Sequence, residues 1–157
     1  MTLRDRWQGI QFKRIATSDR AILIGPWLSE VGFETLYWLP WLTALFAKYK
    51  IDPARCVAIS RGGASAWYGV GQQAEVYRYA PIESVRRLAL ERATAQQSIK
   101  QFSMSRQESM LLASIAEDLG LRNYHVLHPS LMYRSLNDWF EGKAGMMPSL
   151  NSIAFAP

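Results

Sequence analysis

Two carboxylates, Glu30 and Glu34, lie four residues apart on either side of Gly32, directly after a short apolar segment. A loop carboxylate can act as a general base or hold sugar hydroxyls, so Glu30 is a candidate catalytic residue. Glu34 falls in the first turn of a predicted helix, where a favourable interaction with the helix dipole is the alternative to substrate binding. Gly32 lets a backbone or ligand approach closely, beside helix N–H groups that favour anions.

Two further polar segments follow apolar segments later in the chain. Arg61 precedes Gly62 and Gly63, and a guanidinium there would bind a phosphate or carboxylate. An ordinary surface arginine in a tight turn explains this pattern equally well. His128 is a candidate proton carrier, with a structural histidine beside the following helix as the alternative. His125 lies inside an apolar segment, which favours a structural role.

Residue spacing argues against several other kinds of site. The loop that begins at Gly25 has neither the G-x-G-x-x-G spacing of dinucleotide-binding proteins nor a P-loop lysine. The two histidines and the single cysteine, Cys56, have no metal-ligand spacing, so we predict no metal site and no cofactor. Ser65 and Ser130 lack the sequence context of a serine hydrolase.

The segments that position these residues alternate between strand-like and helix-like patterns. Short apolar or alternating segments predict strands at 21–25, 55–60, 75–79 and 124–127. Helical periodicity and capping signals predict helices at about 32–50, 64–70, 81–97, 105–119 and 131–140. The fourth of these begins with a capping box, Ser105 with Glu108, and ends at Gly120. Pro40 is expected to kink the first of these helices or to begin a second one. The alternation predicts an α/β fold, a Rossmann-like three-layer domain with a mostly parallel sheet.

Length and composition indicate one globular domain with short terminal segments. The chain has 157 residues, of which 49% are apolar and 20% charged. We divide it into a basic N-terminal segment (1–19), the Rossmann-like domain (20–141) and a linker-like tail (142–157) that is rich in Gly, Pro, Ser and Met.

The basic character of the chain is concentrated at its start. The first twenty residues contain five basic and two acidic residues, which gives +3 of the net charge of +5. We expect a solvated, partly frayed segment; the alternative is an arm that contacts phosphate groups on nucleotides, lipid headgroups or nucleic acid. No block of like charges occurs, so the nucleic-acid signal is weak.

Targeting signals are absent from the sequence pattern. The N-terminus is polar and lacks the apolar region of a signal peptide. The longest apolar segment, Leu36–Ala47, is too short to span a bilayer and is interrupted by Pro40 and Thr43. We therefore predict a cytoplasmic protein that is not transmembrane.

The segment Ile24–Glu34, followed by Leu36–Pro40, resembles the opening of certain bacterial glycosyltransferase-like proteins. Their pattern is approximately a strand, then G-P-[WF]-x-x-E-x-G-[WF]-E, then an apolar helix with W-x-P. Val57–Gly63 and His128–Tyr133 are similar to later parts of the same N-terminal half, so the resemblance covers about residues 20–140. It implies a GT-B architecture, in which two Rossmann-like domains face each other across a cleft.

The resemblance also implies a division of labour between the two domains. The N-terminal domain mainly binds a glycan or lipid-linked acceptor, and the C-terminal domain binds the nucleotide-sugar donor. Because the chain stops at Pro157, where the donor domain would begin, we expect this half to be inactive alone and a second domain or partner chain to supply the donor. The substrate-binding residues expected here are Gly25, Trp27, Gly32, Glu34, Arg61 and Gly62.

Two alternatives to the glycosyltransferase interpretation stay open. One is a non-catalytic Rossmann-like module that binds a glycan or a partner protein through an aromatic, basic surface. The other is a nucleic-acid binder that uses the basic N-terminus.

Overall fold

A four-stranded parallel sheet forms the centre of the protein, as seen in a computed structural model that describes residues 3–96 and 100–140, with side chains for 6–94 and 100–136. The strands lie in the order β3-β2-β1-β4, and all neighbouring pairs are parallel. Their bounds are Ala21–Ile24 (β1), Cys56–Ser60 (β2), Gln72–Glu75 (β3) and Tyr124–Leu127 (β4). The predicted α/β fold with a Rossmann-like, parallel sheet is confirmed.

Helices cover both faces of this sheet, which gives three layers. The α-helices are Leu3–Thr17 (α1), Val31–Phe33 (α2), Leu39–Tyr49 (α3), Val76–Tyr79 (α4), Ile82–Gln96 (α5), Arg106–Asp118 (α6) and Ser130–Phe140 (α7). Side chains of α1, α3 and α7 share one core with Ile22 and Ile24. Side chains of α4, α5 and α6 share the other core with Leu23, since neighbouring strand residues point to opposite faces.

The strand order reverses beside β1. The chain passes from β1 to β2 and then to β3 on one side, and β4 returns to the other side of β1. In open α/β sheets, ligands bind in the crevice at the carboxyl ends of the strands where this reversal occurs. Here that crevice, the switch-point crevice, lies between the loop after Ile24 and the loop after Leu127.

The helix after β1 is divided, as Pro40 predicted. The short helix α2 continues into a π-helical segment, Glu34–Trp38, and α3 then begins at Leu39 with Pro40 in its first turn. A proline is tolerated there because the first turn of a helix needs no N–H partner. The helix ends at Lys50, which adopts a left-handed conformation with φ 56°.

The strand predicted at 75–79 is wrong. Strand β3 occupies Gln72–Glu75, and Val76–Tyr79 forms one helical turn, α4. Because β3 is an edge strand, its first residues are polar and exposed, so the apolar signal of a strand is absent where the strand lies. The other predicted strands and helices are confirmed to within two residues at their ends, and residues 64–68 form a 3-10 helix. The capping box at Ser105 and a left-handed Gly120 are also present.

The expectation of a frayed N-terminal segment is also wrong. Residues 3–17 form α1, and the side chains of Phe12 and Ile15 are buried in the core. The Phe12 ring packs against Trp41 and Tyr49 at centroid distances of 5.9 and 5.5 Å. The apolar residues of this segment, Trp7 and Ile10 as well as Phe12 and Ile15, are spread around the helix, so the sequence shows no single apolar face that would predict this docking. The tail at 142–157 lies outside the described residues.

Within the described part of the chain, no helix is both long and apolar enough to cross a membrane.

Candidate functional site

Glu30 lies exposed at the rim of the switch-point crevice. It precedes α2, and its carbonyl oxygen accepts hydrogen bonds from the Trp27 indole at 3.2 Å and from the Glu34 N–H at 3.2 Å. Its side chain makes no capping bond to the helix, which leaves the carboxylate free of that role. The negative charge of Glu30 also reaches Tyr133: burial foremost, and then this charge, raise the pKa of the Tyr133 hydroxyl.

A set of aromatic side chains packs together next to the segment that carries Glu30, and its Tyr133 hydroxyl donates to Ser29 at 3.2 Å. Phe33 stacks on Tyr37 at 5.0 Å, and Tyr133 packs against Phe33 at 6.3 Å and Phe102 at 5.4 Å. Phe33, Tyr37 and Phe102 are only partly buried, so part of each ring reaches the surface. The ammonium of Lys100 lies 4.5 Å from the centre of the Phe33 ring, a distance typical of a cation–π contact.

Glu34 lies deeper in the protein than Glu30, with only 1% of its surface exposed. Ser60, the last residue of β2, donates a hydrogen bond to its Oε1, and the Tyr68 hydroxyl donates another at 2.6 Å. Burial raises the pKa of the Glu34 carboxyl, although these hydrogen bonds and the charge of Arg61 oppose the rise. Among the described residues, its Oε2 has no hydrogen-bond partner. Glu34 is therefore a buried residue held by hydrogen bonds. The interpretation that it interacts with the helix dipole did not predict this burial.

Arg61 connects the loops after β1 and β2. One of its guanidinium nitrogens donates to the backbone carbonyl of Ser29, while its Nε has no partner within the described part of the chain. Gly62 and Gly63 are exposed and have positive φ angles of 56° and 81°. The N–H of Gly63 donates to Glu75 at 3.0 Å, so this glycine turn is tied to the end of β3.

Gly25 and Trp27, two predicted substrate-binding residues that precede Glu30, lie inside the loop and determine its conformation. Gly25 has a φ of 117°, and a Cβ at this position would lie 2.4 Å from the carbonyl oxygen of Ile59. Trp27 is completely buried and lies between the rings of Trp38 and Tyr133, at 6.0 and 6.1 Å. Gly32, by contrast, is exposed, and a Cβ there would meet nothing within 4 Å. Of these three predicted substrate-binding residues, Gly32 alone lies where a ligand can reach it directly.

His128 lies buried below the crevice in a polar network with Glu108. Its Nδ1 accepts a hydrogen bond from the Ser130 N–H at 3.1 Å, which leaves the proton on Nε2 to be donated to Glu108 at 3.2 Å. Both ring nitrogens are therefore occupied inside the protein. The peptide bond between Gly25 and Pro26, directly after β1, is cis.

Glu108 is the centre of this network, and none of its surface is exposed. The Arg92 guanidinium lies 2.5 Å away, Gln101 donates at 2.6 Å, and the Ser105 N–H donates at 2.7 Å. Burial by itself would raise the pKa of Glu108, but the His128 hydrogen bond and the Arg92 charge hold it at about 2. The carboxylate is thus ionised at neutral pH.

Gln101 connects this network to the loop after β1 by hydrogen bonds. Its Oε1 accepts from the Leu28 N–H at 2.8 Å, and its Nε2 donates to the Pro26 carbonyl at 2.8 Å. The loop that carries Glu30 is therefore held by a buried amide, which is itself held by Glu108.

The structure separates the two predicted catalytic residues by environment. Glu30 is exposed at the rim, whereas His128 is buried and engaged in the Glu108 network. Sequence reasoning missed the polar residues that organise the site: Ser29, Ser60, Tyr68, Arg92, Gln101, Glu108 and Tyr133. One signal was present, because Ser60 is a polar residue at the carboxyl end of a parallel strand. Glu108 was recognised only as part of a capping box.

Metal-ligating side chains are not gathered at this site. Among the described residues, no group of three or more His, Cys, Asp or Glu side chains is arranged to hold a metal ion. The single cysteine, Cys56, is buried in β2, and burial raises the pKa of its thiol to about 12.

Comparison with protein-family models, with curated proteins and with solved structures gives no match to this chain.

Proposed function

We propose that this chain is the acceptor-side domain of a glycosyltransferase-like protein, which transfers a sugar from a nucleotide-sugar to a glycan or lipid-linked acceptor. The observation that carries the proposal is the position of Glu30. An exposed carboxylate stands at the switch-point crevice, the usual ligand site of this fold, beside partly exposed aromatic rings. The proposed domain acts together with a donor-binding domain or partner chain.

The crevice has the chemistry that a sugar ring requires. A sugar presents C–H groups on its faces, which pack on aromatic rings, and hydroxyls around its edge, which a carboxylate accepts as hydrogen bonds. Phe33, Tyr37 and Phe102 supply the rings and Glu30 the acceptor. In this proposal the Glu30 carboxylate takes the proton from the attacking acceptor hydroxyl, or holds that hydroxyl in place.

The buried groups have supporting roles in this proposal. Gln101 and Glu108 hold the loop that carries Glu30, and Trp27 fills the space beneath it. Arg61, tied to Ser29, provides a positive charge near the crevice for a phosphate of the acceptor or the donor. Pre-organisation of this kind reduces the entropy lost when a substrate is positioned.

Binding to saccharides is the direct test on the chain as it exists. Oligosaccharides of several compositions and nucleotide-sugars are titrated separately and followed by saturation-transfer NMR. We expect an oligosaccharide to bind, and Glu30→Gln to weaken its binding at least tenfold. The control is Glu117→Gln, an exposed glutamate near the end of α6, which should leave binding unchanged.

Two results would contradict the proposal. Binding of a nucleotide-sugar with no binding of any oligosaccharide would reverse the assignment to the acceptor side. Equal affinity of the wild type and Glu30→Gln would remove this carboxylate from the site. In a complete, active protein, Glu30→Gln should reduce turnover sharply, and near-wild-type turnover would exclude it as the base.

The occupied ring nitrogens of His128 favour a second function, a non-catalytic glycan-binding module. A buried histidine whose two nitrogens are hydrogen-bonded inside the fold does not reach a substrate in the crevice. Under this alternative, saccharides bind the chain, but adding any donor domain produces no transfer. Transfer that requires Glu30 would exclude it.

A further inference from the structure

We propose that the outer face of α1 binds the surface of an anionic lipid bilayer. We define the α1 patch as Trp7 and Ile10 with the basic residues Arg6, Lys13, Arg14 and Arg134. This inference does not depend on the proposed glycosyltransferase function, because none of the six residues of the patch belongs to the set proposed to bind a sugar.

Two large apolar side chains of α1 point away from the protein. Trp7 is 68% exposed and Ile10 is 63% exposed, whereas Phe12 and Ile15 on the inner side are buried. Residues 7 and 10 are three apart and therefore lie on the same side of a helix. Trp7 and Ile10 are not needed to attach α1 to the core, because the opposite side of the helix already makes that contact.

Basic side chains surround this apolar pair. Arg6 and Lys13, seven residues apart, form a row along one edge, and Arg14 lies one helical turn after Ile10. Arg134 of α7 meets Trp7 in a surface depression that Gln8 and Gln11 also line. All four basic residues are exposed, and none forms a salt bridge with the acidic side chains that the structure describes.

The combination of aromatic, aliphatic and basic side chains fits a membrane surface. Tryptophan is favoured at the boundary between headgroups and hydrocarbon, and aliphatic residues enter the acyl region just below it. Lysine and arginine at the edge of the patch are attracted to anionic headgroups. Since no described helix can cross a bilayer, the contact would lie on the surface of the membrane.

Two other occupants fit the patch less well. A second copy of the chain would bring the same four basic residues face to face across a symmetric interface, and like charges oppose this. Nucleic acid would satisfy the basic residues, but an exposed isoleucine at the centre has no partner among phosphates. Charge complementarity together with the apolar centre therefore favours anionic lipid.

The test is co-sedimentation of the purified chain with vesicles of phosphatidylcholine, with or without phosphatidylglycerol. We expect binding only to the vesicles that contain phosphatidylglycerol, and weaker binding as salt is raised. The variant Arg6→Gln/Lys13→Gln should lose roughly fivefold for each basic residue removed. Trp7→Ala/Ile10→Ala should reduce partitioning at least about tenfold, because it removes the side chains that enter the hydrocarbon.

Matched controls lie on the other side of the sheet. Leu90 of α5 and Met110 of α6 are 68% and 62% exposed, and Arg87 and Arg106 are exposed basic residues of the same helices. Leu90→Ala/Met110→Ala and Arg87→Gln/Arg106→Gln should leave vesicle binding unchanged. All substituted side chains are exposed, and circular dichroism checks that each variant folds.

Three outcomes overturn the proposal. The first is no partitioning to vesicles with phosphatidylglycerol at low salt. The second is an equal loss in the α1 patch variants and in the controls, which would indicate unspecific attraction to a basic protein. The third is binding of a DNA or RNA duplex, lost in Arg6→Gln/Lys13→Gln, without any binding to vesicles.

Discussion

Replacement of Glu108 by glutamine removes one negative charge from the buried network below the crevice and replaces one of its two accepting oxygens by a donating NH2 group. Glutamine has the same shape, and at the third position of a helix it can still complete a capping box with Ser105. The Arg92 guanidinium, 5% exposed, would lose its ionic partner. The substitution therefore removes the charge together with one acceptor, and the pH dependence of the loss separates the ionic part.

The magnitude follows from the pKa of Glu108. The folded protein holds this carboxyl at about 2, compared with the ordinary value of 4.5. That difference corresponds to about 3 kcal/mol of stability at neutral pH. Total stabilities of domains are about 5–15 kcal/mol, so a loss of this size is severe.

The sign of the pH dependence is set by the lowered pKa. The stabilisation is complete above pH 4.5, where Glu108 is ionised in both the folded and the unfolded chain. It is lost as the pH falls from 4.5 towards 2, because the unfolded chain binds the proton first. At pH 3 the ionic part of the difference between wild type and Glu108→Gln should therefore shrink to about 1 kcal/mol.

Urea unfolding at pH 7 and pH 3, followed by circular dichroism, measures both quantities. The double variant Glu108→Gln/Arg92→Met should recover at least half of the loss, since it also removes the unpaired buried cation. Glu117→Gln, exposed on the same helix, is the control and should change stability by less than about 0.5 kcal/mol. A loss below about 1 kcal/mol at pH 7, or an equal loss at both pH values, would refute the reasoning.

Three further predictions concern groups at the carboxyl ends of the strands and within β2. Gly25→Ala should destabilise by about 3 kcal/mol or more, because its φ is 117° and a Cβ would lie 2.4 Å from a carbonyl oxygen; Gly62→Ala, with φ 56° and open space, should cost only about 1 kcal/mol in the same urea titration. Similar losses for the two glycines would contradict this. Burial raises the pKa of Glu34, so the stability linked to its protonation is complete at low pH and is lost as the pH rises through the raised pKa. Glu34→Gln should therefore be neutral or stabilising at pH 8. A clear destabilisation of this variant in thermal melts would show that the ionised form is needed. Cys56, whose pKa is raised to about 12, should react with a thiol reagent at pH 8 only when urea unfolds the chain; rapid labelling of the native protein would contradict its burial.

Much of the fold could be predicted because its signals are local. Ala21–Ile24 and Cys56–Ser60 are continuous apolar segments bounded by turn residues, which is typical of strands buried on both faces. The capping box at Ser105 and the left-handed Gly120 mark the ends of α6 in the sequence itself. The edge strand β3 escaped prediction because an edge strand needs no apolar pattern.

The sequence predicted that the candidate residues lie at one edge of the sheet, and they do, but it did not predict the surroundings of each residue. Glu30, Arg61 and His128 all follow strands, and parallel strands bring their carboxyl ends together. Whether such a residue faces solvent or the interior depends on neighbours distant in sequence. His128 is buried because Glu108 and Ser130 satisfy its ring, which its own segment does not reveal.

The sequence by itself determined the α/β alternation, the division of the helix at Pro40 and the collection of polar residues at one edge of the sheet. The first two depend on periodicity and proline chemistry, which neighbouring residues set, and the third follows because strands that are joined through helices run parallel. Only the tertiary structure decided that Glu34 is buried while Glu30 is exposed, and that α1 docks through Phe12 while Trp7 faces outward. Those outcomes depend on contacts between residues far apart in the chain, because burial is a property of packing.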